Sequence, residues 1–309
     1  MKFRSDKVAF GRHETFALRY SWLPKGFQAQ SGVPEDIFNA DEATITLGVG
    51  KNMVNSIRYW LRACQLLTSE SPPQPTELGS LILDKQMGLD PYLEDEATIW
   101  LIHWLLASNA ELATSWYWFF NRYHKPDFTS QELDTALSDF VRDQVDAKSR
   151  ASFSTLKNDA QLLHRMYTQS KGNGRTPLEE ALDSPLALLR LVTQTAGGRS
   201  FQSKPDHRPN LPVRILGFAV TQLLQARGTK ILPIEDLMYA RDGYAAPGAV
   251  FRLTESDLVA KLEKLIHCYQ ADFDIRESAG IHQIFQRSDI RPMQLLADHY
   301  QEARKGAAA

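Results

Sequence analysis

The sequence has little cysteine, no long apolar run and no marked excess of either charge. It contains two cysteines, Cys64 and Cys268, which cannot form a disulfide framework or, by themselves, a metal site. The N-terminal stretch has no apolar segment of the kind found in signal peptides, and the strongly apolar residues 100–107 are too few to cross a membrane. We therefore expect a cytoplasmic protein that does not contact a membrane.

The near balance of charges limits how the chain can bind a polyanion. Thirty-five basic and 37 acidic side chains give a formal net charge of −2, so the chain as a whole has no cationic field. Any nucleic-acid binding must therefore come from a local patch. The 309 residues are enough for two or three domains with a substantial core.

Residues 41–67 predict a short helix, a glycine turn and a longer amphipathic helix, the order of a helix-turn-helix. Gly48 and Gly50 supply the turn, where bulkier residues would clash. The apolar residues of the second helix recur at helical spacing and predict one buried face: Met53, Val54, Ile57, Trp60, Leu61 and Cys64.

The opposite face of this helix is polar and carries no acid. Ser56 flanks it, and the residues that we expect to contact DNA are Lys51, Asn52, Asn55, Arg58, Tyr59 and Arg62. Cations suit the phosphate backbone, and asparagine and arginine suit base edges. The alternative is a solvated, mildly basic helix inside an all-α domain.

The segment GVGKN at residues 48–52 is not expected to bind a nucleotide. A Walker phosphate loop requires a glycine five places before Gly50, where Ile45 stands, and Ser or Thr after the lysine, where Asn52 stands.

Two acidic or histidine-bearing segments are candidates for catalysis. In an N-terminal arm over residues 1–40, His13 lies beside Glu14. This pair is suited to binding a metal or moving a proton, and the alternative is that it caps a helix or ties the arm down. Asp90, Glu94 and Asp95 crowd the start of an apolar helix expected from residue 97 to about 113. Carboxylates there more often cap the helix than hold Mg²⁺, although they suit both roles.

A second helix-turn-helix candidate lies in the middle of the chain. A capping box at residues 129–132 predicts a helix over 131–143, and another helix follows at 156–168. In that helix we expect Lys157, Asn158, His164 and Arg165 to face outward. Of these, Lys157 and Asn158 are expected to contact DNA. Asp159 weakens this candidate because we expect it among the exposed residues. Residues 171–175 predict a basic turn.

The remaining patterns predict a mainly α protein with several helix-turn-helix or winged-helix-like modules and small β hairpins. An extended piece after Thr76 would complete an N-terminal winged helix, and helix 256–269 followed by a hairpin at 273–277 and 281–286 would form another winged-helix half. Residues 197–212 form a break rich in glycine and proline, either a linker or a DNA-facing loop. The expected units are an arm plus DNA-binding module over 1–88, a helical domain over 89–196, and the linker loop with a C-terminal module over 197–309.

Four segments together carry a resemblance to a known family: GRHETFALRYSWLPKG at 11–26, LGVGKNMVNSIRYWL at 47–61, GLDPYLEDEATIWLIHWLLA at 88–107, and STLKNDAQLL at 154–163. With these segments the chain resembles the family catalogued as domain of unknown function 4007, and the resemblance covers most of its length.

The resemblance implies a role in bacterial DNA phosphorothioation, the replacement of a non-bridging phosphate oxygen by sulfur, in defence against phage. It implies a DNA-nicking protein that acts on double-stranded DNA with a cysteine desulfurase, an ATPase and an ATP pyrophosphatase.

The residue patterns described above are consistent with DNA binding, but the sequence contains no established nuclease motif. Nicking would require a metal-bound water, with Mg²⁺ or Mn²⁺, and a carboxylate or histidine base. The candidates are His13, Glu14, Asp90, Glu94 and Asp95. Two alternatives are a non-catalytic DNA-binding adaptor and a transcriptional regulator.

Overall fold

The computed structural model describes residues 2–169, 184–195, 197–278 and 280–307. The basic turn expected at residues 171–175 lies outside these residues, and so does Ala279 in the expected C-terminal hairpin turn.

The N-terminal part of the described chain is helical. Its helices are α1 (Trp22–Gln30), α2 (Ala43–Leu47), α3 (Lys51–Ala63), α4 (Glu77–Leu83), α5 (Glu96–Ala107) and α6 (Thr114–Asn121).

The middle part combines two helices with a small sheet. Its elements are β1 (Asp127–Thr129), α7 (Ser130–Gln144), a 3-10 helix (Ala147–Ser149), α8 (Phe153–Tyr167), a second 3-10 helix (Pro185–Leu189), β2 (Thr193–Gln194) and β3 (Ser200–Gln202). Strand β3 lies between β1 and β2, and both pairings are antiparallel. The capping box that was predicted to open α7 is confirmed, because Thr129 and Glu132 satisfy each other's backbone amides.

The C-terminal part has a second small sheet. Its elements are α9 (Val213–Arg227), β4 (Ile231–Pro233), α10 (Ile234–Met238), α11 (Pro247–Val250), α12 (Glu255–Cys268), β5 (Phe273–Ser278), β6 (Ile281–Gln286) and α13 (Pro292–Ala307). Strand β6 lies between β4 and β5, again in antiparallel pairings. The predicted hairpin is therefore confirmed, and the described chain is mainly α with two small antiparallel sheets.

Helices α5 and α6 form the centre of the core. Every residue of α6 is buried, and so is every residue of α5 after Glu96. The apolar pattern predicted one helix over 97–113, but α5 ends at Ala107. The Asn109 side chain then donates to the carbonyl of Ala63 at 2.9 Å and accepts from the amide of Leu112 at 3.1 Å, which holds a turn between α5 and α6.

None of the described helices has the length and apolar content needed to span a bilayer.

The short helix, the glycine turn and the longer helix predicted over residues 41–67 are present as α2, the turn at Gly48–Gly50, and α3. Gly48 ends α2 in the left-handed region, with φ of 58°, and Gly50 precedes the first residue of α3. The apolar face of α3 packs in the core as predicted, since Val54, Ile57 and Trp60 are at most 2% exposed.

The extended piece predicted after Thr76 is wrong, because this segment is helix α4. The Thr76 hydroxyl accepts a hydrogen bond from the amide of Gly79 at 2.9 Å and caps the helix. Residues 2–88 contain isolated bridges but no named strand. The expected wing of the N-terminal module is therefore absent.

Helix α4 packs closely enough on its neighbours to require glycine at one position. A Cβ atom on Gly79 would lie 2.2 Å from the Leu66 carbonyl oxygen and 2.7 Å from Cε2 of Phe27. We expect Gly79→Ala to lower the free energy of unfolding by about 1–3 kcal/mol, because the backbone has to move. Urea unfolding followed by circular dichroism measures this. The exposed neighbour Ser80 supplies the control, Ser80→Ala, and equal stability of the two variants would contradict the packing argument.

Candidate nucleic-acid interface

The outward face of α3 forms one wall of a cleft, and the N-terminal arm and the turn after α5 form the rest. The cleft has a volume of about 570 Å³. The charged and hydrogen-bonding side chains that line it are Lys7, Arg12, Asn55, Arg58, Tyr59, Arg62 and Glu111. Four cations thus face one acid, an arrangement that suits a polyanion.

The structure places the six predicted α3 residues in two groups. Asn55, Arg58, Tyr59 and Arg62 line the cleft, whereas Lys51 and Asn52 are exposed at the start of α3 and do not line it. The flanking Ser56 is buried.

The two α3 arginines already have partners within the protein. Arg58 forms an ion pair with Asp36 at 2.8 Å and donates to Asn39 at 2.9 Å. Arg62 donates to the carbonyls of Thr68 at 3.2 Å and Glu70 at 2.5 Å. Burial, followed by repulsion from Arg58, lowers the pKa of Arg62. Part of the cationic potential that the sequence predicted is therefore used to hold the loops around α3.

Tyr59 contributes a neutral phenol to the cleft. Its hydroxyl donates to the carbonyl of Leu112 at 3.0 Å, and burial raises the pKa of Tyr59 well above its usual value. Its polar end is therefore turned toward the backbone of the protein.

Lys7 and Arg12 are the cleft cations that the sequence interpretation missed. Both are exposed, and their side chains make no hydrogen bond or ion pair with the part of the chain that the structure describes. They lie on the arm, whose position beside α3 is set by tertiary contacts. The one sequence feature that could have indicated Arg12 was its position next to His13, which was already a candidate functional residue.

A buried contact between His13 and Asp159 holds the arm in place. His13 Nε2 lies 2.8 Å from Asp159 Oδ1, and both side chains are 1% exposed. The backbone amide of Thr15 donates to His13 Nδ1 at 3.0 Å. Because Nδ1 accepts this bond, the ring N–H lies at Nε2, which donates a hydrogen bond to Asp159. The His13 ring also stacks near Trp60 of α3, with centroids 6.2 Å apart.

Asp159 was predicted to be exposed on α8, and this prediction is wrong. Besides the bond from His13, its carboxylate accepts hydrogen bonds from the amide of Gly11 at 2.8 Å and from the hydroxyl of Ser115 at 2.6 Å. Three donors compensate for its burial. Lys157 and Asn158 are exposed as predicted.

His164 was expected to face outward with Lys157, but it is partly buried. Its ring stacks on Phe201 of β3 with centroids 4.3 Å apart. Burial, with a smaller contribution from Arg165, lowers the pKa of His164 to about 4. The ring is therefore neutral near pH 7.

The acidic cluster before α5 forms a capped turn. Asp90 is buried, and its carboxylate accepts from the amides of Glu94 at 2.8 Å and Asp95 at 3.1 Å and from the Thr98 hydroxyl at 2.5 Å. Asp95 caps α5 by accepting from the amide of Ala97 at 2.8 Å. These contacts agree with the capping alternative.

Asp95 also faces a histidine of the C-terminal helix. The Nε2 atom of His299 in α13 lies 3.5 Å from its Oδ2. His299, followed by the amide of Ala97, lowers the pKa of Asp95. The Asp90–Asp95 turn thus contacts α13, whereas His13 contacts α3, α6 and α8.

The candidate catalytic residues do not fit a divalent metal ion. Within the described ranges, no group of three or more His, Cys, Asp or Glu side chains is placed to hold a metal. Both ring nitrogens of His13 and the carboxylates of Asp90 and Asp95 are hydrogen-bonded within the protein. Glu14 and Glu94 are exposed. A metal at either segment would have to displace contacts that hold the arm or cap α5.

Comparison with known proteins finds a family and two solved structures. Residues 10–300 match the family described as "Protein of unknown function (DUF4007)". The chain is 30% identical to SspB in a crystal structure, with a TM-score of 0.82, and the match covers 98% of this chain and 90% of that one. A crystal structure of magnesium ion-bound SspB matches with the same identity and coverage and a TM-score of 0.83. No curated protein matches the chain.

The three hydrogen bonds of Asp159 make it a strong test of how the arm is held. Asp159→Ala leaves buried donors from Gly11, His13 and Ser115 without an acceptor. We expect the free energy of unfolding to fall by about 3–5 kcal/mol. The adjacent exposed residue gives the control, since Asn158→Ala should change it by less than about 0.5 kcal/mol. Urea unfolding measures both, and a small loss for Asp159→Ala would show that the arm is held by other contacts.

Proposed function

Because the chain belongs to the DUF4007 family, we propose that it is a DNA-binding component of a bacterial DNA phosphorothioation system. The observation that carries this proposal is the cleft between α3 and the arm, where Lys7, Arg12, Arg58 and Arg62 face a single acid, Glu111. Similarity to SspB in fold and sequence supports the same role. The ligand is double-stranded DNA, whose phosphates bind the cations of the cleft.

The arrangement of charge supports a local interface. The whole chain has a formal net charge of −2, so it does not attract DNA over its entire surface. Lys7 and Arg12 form no ion pair or side-chain hydrogen bond within the described ranges and can therefore bind phosphates, while Asn55 offers an amide that suits a base edge. The α2–α3 helix-turn-helix therefore acts together with the arm.

Strand nicking is the activity that the family resemblance implies, and we include it in the proposal. The sequence-predicted residues differ in their availability for this chemistry. His13, Asp90 and Asp95 are engaged in hydrogen bonds, whereas Glu14 is exposed and lies two residues after Arg12 of the cleft. Among the predicted carboxylates, Glu14 is thus the best placed for a general base. Because the described residues form no metal site by themselves, Mg²⁺ or Mn²⁺ would have to bind jointly with a DNA phosphate, where it would supply charge stabilisation.

The second candidate function is a non-catalytic adaptor that brings the sulfur-transfer proteins to DNA. It is favoured by the hydrogen-bonded state of the Asp90–Asp95 turn, which has the character of a helix cap. In either function the proposed partners are the cysteine desulfurase, the ATPase and the ATP pyrophosphatase of the same system.

The first prediction concerns affinity for duplex DNA. Lys7→Ala and Arg12→Ala should each weaken binding roughly eightfold at about 0.1 M salt, because each removes one phosphate contact. Arg58→Ala and Arg62→Ala should also weaken binding and flatten its salt dependence, although they remove the contacts with Asp36 and with the Thr68 carbonyl as well. Fluorescence anisotropy with a labelled duplex measures this.

Lys264 provides a matched control for these variants. It is an exposed lysine on α12, outside the cleft. Lys264→Ala should leave affinity unchanged. Wild-type affinity in Lys7→Ala and Arg12→Ala would place DNA elsewhere on the protein.

The second prediction concerns cleavage. Pure protein with Mg²⁺ or Mn²⁺ should convert supercoiled plasmid to the relaxed form, and Glu14→Gln should remove this activity while sparing DNA affinity. Glu94→Gln is the matched control, because Glu94 is also exposed but lies beside α5 rather than on the arm. Persistent absence of the relaxed form with wild-type protein rules out nicking and leaves the adaptor function. Loss of activity only in Glu94→Gln would move the catalytic centre to the Asp90–Asp95 turn.

A further inference from the structure

Two parts of the chain share one order of helices and strands. Among the described residues, and apart from its two 3-10 helices, the first runs α6, β1, α7, α8, β2, β3. The second runs α9, β4, α10, α12, β5, β6, with the short α11 inserted before α12. In each sheet the last strand lies between the first and the second, and all pairings are antiparallel. This is the order of a winged helix, in which the third helix lies beside a two-stranded hairpin.

The third helix of the first module, α8, has an exposed face without acid. Its exposed residues lie along one stripe at helical spacing: Phe153, Ser154, Lys157, Asn158, Gln161 and Arg165. The single acid of α8 is Asp159, which is 1% exposed and points to the opposite side, where it accepts a hydrogen bond from His13. The polar face therefore combines cations and amides with no negative charge of its own.

The corresponding helix of the second module has a different surface. The exposed residues of α12 include Glu255, Glu263 and Lys264. Repulsion between its acids and phosphates disfavours DNA. The two modules thus have the same topology but differ in the charge of the exposed helix face. This difference favours α8 over α12 as a DNA-binding helix.

The surroundings of α8 complete a surface suited to a duplex. A groove of about 430 Å³ runs beside Asn158, Gln161 and Arg165 and is bounded by residues of β2 and β3. Arg199 is exposed at the end of the β2–β3 hairpin. Asp134 of α7 is an acid that interacts with Lys157 of this face. Burial raises the pKa of Asp134, and Lys157 partly offsets this rise.

We propose that α8 is a second DNA-binding helix of this protein, which enters the major groove of duplex DNA and reads bases. Asn158 and Gln161 carry side-chain amides that pair with adenine edges, Phe153 offers an apolar contact to a thymine methyl group, and Lys157 and Arg165 bind phosphates. Arg199 of the hairpin binds the neighbouring backbone. This inference rests on the proposed DNA-binding function and adds a sequence-reading surface that is separate from the α3 cleft.

The experiment uses the full chain and two labelled 30-base-pair duplexes. One is recovered by the wild-type protein from a random pool, and the other is a scrambled duplex of the same composition. Lys157→Ala should weaken binding to both duplexes by roughly eightfold at about 0.1 M salt. The double variant N158A/Q161A should reduce the preference for the recovered duplex by roughly 5- to 100-fold. All three positions are exposed, so the thermal midpoint should stay that of the wild type.

Lys264→Ala on α12 is the matched control and should bind both duplexes as the wild type does. Wild-type behaviour in both α8 variants overturns the inference while leaving DNA binding by the α3 cleft intact. Failure of the wild type to prefer any duplex overturns the base-reading role. Failure of the wild type to bind any duplex contradicts the proposed function itself, so the two failures are distinguishable.

Discussion

The buried carboxylate of Asp159 accepts three hydrogen bonds from parts of the chain that are far apart in sequence. Gly11 and His13 come from the arm and Ser115 from α6, while Asp159 itself belongs to α8. An ionised carboxylate inside a protein is tolerated only when such donors replace water. The contact therefore fixes the arm, α6 and α8 relative to one another.

This one contact determines the orientation of both proposed DNA surfaces. On α8, turning Asp159 inward leaves Lys157, Asn158 and Gln161 on the outer side, because neighbouring helical residues lie about 100° apart. On the arm, burying His13 leaves the adjacent Arg12 exposed at the cleft beside α3. A polar interaction in the core thus allows a chain of nearly balanced charge to present cations locally.

Local signals in the sequence predicted local structure well. The spacing of Val54, Ile57 and Trp60 gave the buried face of α3, and the Thr129–Glu132 capping box and the C-terminal hairpin were also confirmed. Their physical basis, helical or strand periodicity and short-range hydrogen bonds, is contained within a few residues. The topology shared by the two sheets could not be predicted in this way, because strand order depends on pairings between distant segments.

The errors and omissions arose where a distant partner decides the outcome. Asp159 was predicted to be exposed because acids usually are, but its partner His13 lies 146 residues away. Lys7 reaches the cleft through the same tertiary arrangement, and Arg58 has a partner, Asp36, that periodicity cannot reveal.

The central claim is that local cations on this chain of nearly balanced charge bind duplex DNA, and its most direct test is the salt dependence of wild-type affinity. From the four cations of the cleft alone, the logarithm of the association constant should fall against the logarithm of salt concentration with a slope of about −3 to −4, and phosphate contacts at α8 should make it steeper. A slope near zero, or no measurable binding at about 50 mM salt, would contradict the account.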